Sequence, residues 1–483
     1  MTLDPRFVSE LERICTGGVF SEPADTLAYE CDGLSYLRAA PSAVVLPASA
    51  AQVQAVVRLC HRAGVPFVAR GHGTGLSGGA MPIAGGIVIG LGRLNRVLDV
   101  DIPNRRVTVE PGVTNLEITR RVAPHGFYFA PDPSSQLICS IGGHIAENSG
   151  GPHCLKYGFT VHHVLELDVI LPDGELLHAG GATADTPGPD LLALLIGSEG
   201  TLGVVTKAVV RILRRPEEVQ TLLAAFPSIE AAGGAVSDII ASGIVPAAAE
   251  IMDACTIRAV EEAFALGLPP ADSILIVELD GPAVEVAALI SDVDAMCRAR
   301  GATALEAARD EAARARIWRA RKAAFAAFGR ISPNCYLQDG VVPRTRLPEV
   351  LHRIRDLEQR CGLRIGNVFH AGDGNLHPII CYDARVPGET ARAGAAAKEI
   401  LSYCLDAGGS ITGEHGVGVD KVDAMPKMFA EADLELMRRV RAAFDPAQIC
   451  NPGKALPTPR RCGEAAGPYR PHPAEAAGVI ERY

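Results

Sequence analysis

Residues 50–64, AAQVQAVVRLCHRAG, carry apolar residues at helical spacing and predict an amphipathic helix. VPFVAR follows as a short strand, and the glycine-rich RGHGTGLSGGAMPIAGGIVIGL ends in a second strand. Residues 93–112 alternate in strand fashion up to Pro111-Gly112, and 114–125 predict a helix. A long segment of Gly, Ser and Pro, FAPDPSSQLICSIGGHIAENSGGPHCLKYG, separates these from VLELDVILPDGELLHAG, which predicts a hairpin on Asp173-Gly174. DLLALLIGSEGTLGVVTKAVVRILRRP reads as helix, glycine turn and strand, and a linker is expected over 214–219.

The second half alternates helices rich in Ala, Glu and Arg with short strands such as SILIVELDG and RIGNVFHAG. That pattern fits an α+β layer rather than a doubly wound parallel sheet. The expected division is a helical segment over 1–40, a first domain over 41–217, a second over 218–430, and a C-terminal helical segment with tail over 431–483. The closing helix is expected from about Glu431 to Phe444. The proline-rich tail after Gly453 is expected to be irregular.

At 483 residues the chain exceeds one ordinary core, so two or three domains are expected. Net charge is −10 without a Lys/Arg block, which argues against nucleic acid and against docking on an anionic membrane. The N-terminal MTLDPRFVSELERIC lacks the apolar core of a signal peptide, and no apolar run is long enough to span a bilayer. A cytoplasmic protein is expected. The 13 cysteines are scattered, none in CxxC or CxC, which predicts reduced buried thiols and no iron–sulfur cluster in this chain.

Gly73-x-Gly75-x-x-Gly78 matches the dinucleotide fingerprint by letter. That fingerprint requires a helix directly after it, where a pyrophosphate sits on the helix N-terminus. Here Gly79, Pro82, Gly85 and Gly86 follow instead, then the strand IVIGL, so the nicotinamide reading fails. What remains is either a tight structural turn or a loop whose uncovered N–H groups bend around an anion, with Thr74 and Ser77 adding hydroxyls. PDPSS, CSIGGHIAENSGG and GSEGTLG are three further loops of small residues. Four such loops suggest backbone wrapped around one long, polar, flat ligand.

VFHAGDGNLHPII, residues 368–380, sets His370 and His377 on either side of Asp373-Gly374. A two-residue turn there pairs Gly372 with Asn375, Ala371 with Leu376, and His370 with His377, about 4.5–5.5 Å apart at Cβ. Two imidazoles so placed either share a cation or decorate an exposed hairpin as neutral rings. GSITGEHGVG sets Glu414 and His415 between glycines, a sign of close approach to something else. RIWRARKAAF carries Arg316, Arg319, Arg321 and Lys322 on a helix, mostly as solvated face; Trp318 reads as packing.

RGHGTGLSGG, PDPSS, GGHIAENSGG, KYG, GSEGTLG and NPGK, in order from Val44 to Lys454, resemble the PCMH-type FAD-binding superfamily of vanillyl-alcohol oxidase. Within it the chain resembles the flavin subunit of bacterial glycolate oxidase and related D-2-hydroxyacid dehydrogenases. The resemblance implies an α+β fold with a two-subdomain FAD-binding domain, an α+β substrate domain and a C-terminal helical segment. It implies FAD held by Arg70, Gly71, Gly73, Thr74, Gly75, Leu76, Ser77 and Gly78 at the pyrophosphate. Pro131, Asp132, Ser134, Ser135, Gly142, Gly143, Asn148 and Gly151 would line the ribityl and ring region. Glu199, Gly200 and Val204 would lie on the adenosine or ring side, and Asn451 would reach back from the C-terminus. Thr74 stands where some relatives have a covalently attached histidine, so FAD is expected to be non-covalent. His72 sits elsewhere in that loop, and His144 stands where many relatives have asparagine.

HAGDGNLH and GEHG resemble the family's metal motifs. They imply zinc or manganese held by His370, His377 and Glu414, His415 as the base, and Arg321 as the substrate-carboxylate arginine. The implied reaction takes a small D-2-hydroxy acid to its 2-oxo acid with hydride passing to FAD. Relatives acting on 2-hydroxyglutarate carry a lysine and an asparagine where Leu337 and Ile379 stand here, which favours glycolate or D-lactate. Implied partners are a second FAD-domain-like subunit and an iron–sulfur subunit, with peripheral attachment to the inner membrane through them. The alternatives are a 2-hydroxyglutarate dehydrogenase, an enzyme like alkyl-dihydroxyacetone-phosphate synthase, and a flavin-binding scaffold subunit.

Overall fold

The structure, a computed structural model, describes residues 3–181, 183 and 188–457. The tail expected to be irregular lies outside the described residues from position 458 onward. The chain divides into two compact units. Unit 1 comprises Met1–Ser149, Phe159–Arg214 and Glu414–Tyr483, and unit 2 comprises Gly150–Gly158 and Arg215–Gly413. The expected linker coincides with the crossing after Arg214. The return differs from the expected break at 430/431, because the chain re-enters unit 1 at Glu414. The excursion Gly150–Gly158 also groups with unit 2.

Unit 1 holds two principal sheets. In the first, Ala43–Val45, Ile87–Gly90 and Phe67–Arg70 run parallel, with Val19–Phe20 antiparallel at one edge. The helix Ala50–Ala63 begins at Ser49, whose side chain accepts from the Gln52 N–H, and ends at Gly64 in the left-handed region. It buries Val53, Val56, Val57, Leu59 and Cys60 within the core of this sheet. No helix intervenes between Arg70 and Ile87; the glycine loop alone makes the connection. The second sheet orders Val97–Asp101, Arg106–Val109, Val204–Arg211, Val164–Ile170 and Leu176–Gly180, all antiparallel. Val164–Ile170 and Leu176–Gly180 form the hairpin expected on Asp173-Gly174. The helix Ile141–Glu147 buries Ile141 and Ile145 in this second core.

The C-terminal return closes the first sheet. The Phe67 N–H donates to Ile449 O and the Asn451 N–H donates to Phe67 O, so residues 449–451 cover the exposed edge of the Phe67–Arg70 strand.

Unit 2 is built on an eight-stranded sheet, antiparallel throughout. Its central strands are Ser273–Gly281, Ala248–Asp253, Ile365–His370 and Asn375–Tyr382. On one face Met252, Ile274, Ile276, Val368 and Ile379 form a core with the helices Ala254–Phe264 and Glu311–Lys322. Each such side chain removed from water contributes about 1.5–3 kcal/mol, enough to fix which residues of each strand face inward. The Gly150–Gly158 excursion is fastened to this sheet by charge: His153 Nε2 lies 3.1 Å from Glu278 Oε1, and the Tyr157 hydroxyl donates to Asp280 at 2.5 Å.

Candidate functional site

Within unit 1, Gly71, Gly79, Gly142, Gly143, Glu147, Glu199 and Gly200 line one cavity of about 70 Å³. Its walls are bare backbone for steric reasons. A Cβ on Gly71 would stand 2.1 Å from Ser140 Oγ, and one on Gly142 would stand 2.8 Å from Pro111 Cβ. Gly73 and Gly78 hold φ values of 69° and 79°, which side chains seldom tolerate. Glycines from three separate segments thus leave room for a flat ligand to lie against main chain, and these walls fit the FAD the loops imply.

The other expected cofactor residues of unit 1 fall into two groups. Arg70 is buried and donates to the Cys31 and Ala80 carbonyls, so it braces the glycine loop from behind. Asn451 Nδ2 donates to Gly79 O and Glu199 O, tying the C-terminal return to two of the loops. Asn148 closes the helix Ile141–Glu147 in the left-handed region, and its Oδ1 accepts from the Val161 N–H. The Glu199 carboxylate accepts from the Val417 and Gly418 N–H groups at 2.7 and 2.6 Å. Its work is to hold the loop just beyond His415, whose own carbonyl accepts from Ser77 Oγ. Gly151 groups with unit 2, apart from the other expected cofactor residues.

The two histidines left open by sequence find their places here. His144 is buried between Asn115 Nδ2, 3.3 Å from Nε2, and Thr160 Oγ1, 3.2 Å from Nδ1. Burial depresses its pKa to about 4, so it is a neutral structural ring. His72 points its Nδ1 at the Ile138 carbonyl on the exterior.

Neighbouring Glu147 is a residue the sequence did not single out. Its Oε2 is buried without a hydrogen-bond partner among the described residues. Burial, and then the charge of Glu199, push its carboxyl well above the ordinary range.

In unit 2 the hairpin register differs from the expected one. His370 pairs with Asn375, and His377 pairs with Val368. The loop is four residues, 371–374, closed by the Gly374 N–H on His370 O at 3.0 Å. A two-residue turn of the favoured type needs positive φ at both central positions. Only Gly374 has it, at 83°, while the Gly372 N–H is taken by Ala249 O of the neighbouring strand. The correction preserves the consequence. His370 and Val368 are two residues apart, so His370 and His377 still share a face. Their ring centroids stand 5.0 Å apart, at 88°.

Glu250, which no motif announced, organises this pair. Glu250 lies opposite His370 in the ladder, fully buried, and His370 Nδ1 donates to its Oε1 at 2.7 Å. That bond fixes the tautomer with the lone pair on Nε2, the form that ligates metals. The other oxygen accepts from Arg321 Nε at 2.6 Å, so Arg321 is a buried partner of Glu250 rather than part of the solvated helix face.

Asp339 stands on the other side of the pair, its Oδ1 4.0 Å from His377 Nδ1. Its Oδ2 accepts from Thr412 Oγ1 at 2.6 Å and from the Gly413 N–H at 3.0 Å. Asp339 therefore anchors the GSITG strap at the residue before Glu414. Glu414 and His415 follow in the chain as the first residues of the last segment of unit 1. Two imidazole nitrogens beside carboxylates form a donor set suited to a divalent ion such as zinc or manganese.

Comparison with known proteins places the whole chain. Residues 41–180 match the FAD binding domain family, and residues 215–455 match the FAD linked oxidases, C-terminal domain family. The chain is 49% identical to glycolate oxidase subunit GlcD of Escherichia coli K12 over 460 residues, covering 95% of this chain and 92% of that protein. It is 39% identical to the GlcD of Bacillus subtilis 168, covering 89% and 92%. Against a probable mitochondrial D-lactate dehydrogenase of Danio rerio it is 32% identical, covering 86% and 84%. Among solved structures, the 4-ethylphenol oxidase of Gulosibacter chungangensis superposes with a TM-score of 0.79 at 21% identity, covering 93% of this chain and 96% of that one. Alkyldihydroxyacetonephosphate synthase superposes with a TM-score of 0.74 at 20% identity, covering 93% and 86%. Both share the fold. The glycine-walled cavity, the paired histidines and the match along both halves lead to one conclusion: this chain is a member of the FAD-linked oxidase family.

Proposed function

We propose that this protein oxidises a small D-2-hydroxy acid, glycolate or D-lactate, to the corresponding 2-oxo acid. The observation that carries the reading is the buried His370–His377 pair with Glu250 bonded to His370, in a chain whose near relatives are named for glycolate and D-lactate oxidation. FAD, bound non-covalently, would supply the acceptor for the substrate's α-hydrogen. His370, His377 and Glu414 would hold a divalent cation, zinc or manganese, which would supply Lewis acidity to the substrate hydroxyl. Glu414 follows Gly413, which Asp339 anchors beside His377, and that support favours it as the third ligand.

His415 takes the hydroxyl proton as general base. Glu199 keeps its loop in place through the Val417 and Gly418 N–H groups. Arg321 offers the nitrogens not committed to Glu250 to the substrate carboxylate. Around the cofactor, residues 70–78, Pro131, Asp132, Ser134, Ser135, Gly142, Gly143, Asn148, Gly151, Glu199, Gly200, Val204 and Asn451 bind and shape the FAD site.

Substrate size follows from a pair of apolar neighbours. Leu337 and Ile379 are cross-strand partners, and Ile379 lies two residues from His377 on the same face. A second substrate carboxylate would meet hydrocarbon there, which disfavours 2-hydroxyglutarate. Reoxidation of the flavin falls to partner subunits, consistent with the subunit designation of the E. coli relative; an iron–sulfur subunit and a second FAD-domain-like subunit suit that role. Among the described residues no helix is long and apolar enough to cross a membrane.

The test is anaerobic bleaching of the bound flavin by a panel of hydroxy acids. Glycolate or D-lactate should bleach it, and the His415→Ala variant should keep its flavin spectrum but resist bleaching. Unchanged reduction in that variant rejects the assigned base. Failure of every hydroxy acid rejects the function.

A further inference from the structure

Where the strands Ala248–Asp253 and Ile365–His370 meet the helices Ala254–Phe264 and Leu347–Cys361, unit 2 carries a cavity of about 390 Å³, a volume in the range of small-molecule sites. It lies wholly within unit 2 and is separate from the histidine pair. Asn367 lines it from the strand that ends in His370, three residues earlier and therefore on the other face.

Its floor consists of acceptors. Asn367 Oδ1 is buried and has no hydrogen-bond partner among the described residues, although Asn367 is only 9% exposed. An unmet buried acceptor costs about 1–3 kcal/mol, so the group calls for a donor. Beside it, Asp253 accepts from the Thr256 N–H and from the backbone and side chain of Asn367. Glu358 accepts from the Ile365 N–H. Burial raises both carboxyls above their ordinary range, and for Glu358 the charge of Asp253 adds to it while the Ile365 N–H and the charges of Arg364 and Arg355 offset part of it. A cationic donor between them would relieve both effects.

The rim is mixed. Arg258, Arg355 and Arg364 line the cavity together with Glu262 and Asp272. Arg355 faces Asp272 only at 4.0 Å, and neither Arg258 nor Arg364 has an ion-pair partner among the described residues. Guanidinium groups so placed suit a carboxylate.

We propose that this cavity is a second small-molecule site that takes a zwitterion of the amino-acid class, its ammonium on Asn367, Asp253 and Glu358 and its carboxylate on the arginine rim. An isolated anion would meet the floor acceptors, and an isolated amine would leave the arginines unused. The same two strands carry Glu250 and His370 on their other face, so an occupant here grips the backbone that positions the histidine pair.

The test is a thermal-shift and calorimetric screen of the FAD-loaded protein against the common free amino acids, with ethylamine and acetate as the two half-ligands. At least one amino acid should bind saturably, while neither half-ligand does so at the same concentration. The Arg258→Ala/Arg364→Ala double variant should weaken that binding at least about tenfold, the loss of one charge-assisted contact. Those positions are exposed, so the variant keeps its fold; Asn367→Leu gives the matching loss at the floor. Absence of saturable binding by any amino acid overturns the proposal. So does binding that the double variant leaves unchanged, or that ethylamine or acetate reproduces.

Discussion

His370 donates its Nδ1 proton to Glu250 across one ladder position, at 2.7 Å, and neither residue is accessible to solvent beyond a few per cent. The bond joins adjacent strands, so the imidazole is aimed by the sheet itself and not by a mobile loop. Arg321 shares the same carboxylate and offsets its buried charge. A strand residue, a helix residue and a hairpin residue are thereby locked into one unit.

Glu250→Gln should weaken metal binding about 10–100-fold while FAD remains bound, because the amide no longer enforces the ligating tautomer of His370. Competitive titration with a chelator, followed by metal analysis, measures it. An unchanged metal affinity would show that Glu250 serves packing alone.

Gly142→Ala should reduce FAD retention. The added Cβ would meet Pro111 Cβ at 2.8 Å and Pro111 O at 3.1 Å, and backbone cannot yield there as a flexible side chain would. Overpacking costs about 1–3 kcal/mol and is relieved only by shifting the segment that lines the cavity. The flavin-to-protein ratio after gel filtration reads this directly, and a ratio equal to that of the unaltered protein counts against a cradle at this glycine.

Glu147 gives a pH signature. Its folded-state pKa lies above the unfolded value, so the folded chain retains a proton that the unfolded chain releases. Stability is then reduced progressively as pH rises above the ordinary carboxylate range, and below that range the group contributes nothing. Glu147→Gln removes the dependence. Urea midpoints of the two proteins should run close at about pH 4 and separate toward about pH 8, with the glutamine variant the more stable. A difference that does not change with pH would mean that the carboxyl ionises freely.

Glu278 is the anchor of the Gly150–Gly158 excursion. It lies near His153 Nε2 and accepts from Thr221 Oγ1, Arg314 and Trp318 Nε1. The hydrogen bonds and charges of His153 and Arg314 hold its pKa far below the ordinary range despite burial, so its contribution is present at neutral pH and lost on acidification. Glu278→Ala should destabilise unit 2 by about 2–3 kcal/mol, because half-buried Arg314 loses its counter-charge and the buried Trp318 Nε1 and Thr221 Oγ1 lose their acceptor. Denaturant unfolding followed by the lone tryptophan, Trp318, checks it; a loss under about 1 kcal/mol would assign the network to solvent-exposed pairing.

Local patterns were enough for much of the fold. The helix Ala50–Ala63 has its apolar spacing, its Ser49 cap and its Gly64 stop in consecutive residues, so the sequence alone bounded it. The run Glu431–Phe444 was equally plain. The absence of a helix after the glycine loop followed from Pro82 and Gly85-Gly86, whose backbone demands are local. The paired histidines were visible because a hairpin encodes proximity in short range. Their register was not, because Ala249 of another strand claims the Gly372 N–H and lengthens the turn.

Other features had no local signal. Glu250 sits in AAEIMD, a stretch that reads as an ordinary buried strand, and its partners His370 and Arg321 lie more than seventy positions downstream. Arg321 shares its helix with Arg314, Arg316 and Arg319, and its burial against the Glu250 carboxylate sets it apart. The excursion of residues 150–158 into unit 2 hinges on Glu278, which becomes an anchor only when its strand lies beside Thr221 and beneath Trp318.

The sequence by itself determined the fold class, the glycine loops that line the unit 1 cavity and the identity of the hairpin histidines, since each depends on backbone freedom or spacing within a dozen residues. Tertiary structure alone decided which carboxylate orients His370, where Arg321 is neutralised and which strand edge the C-terminus closes. Those are pairings between distant segments, and their energies come from burying charge and satisfying hydrogen bonds together, which no single segment can specify.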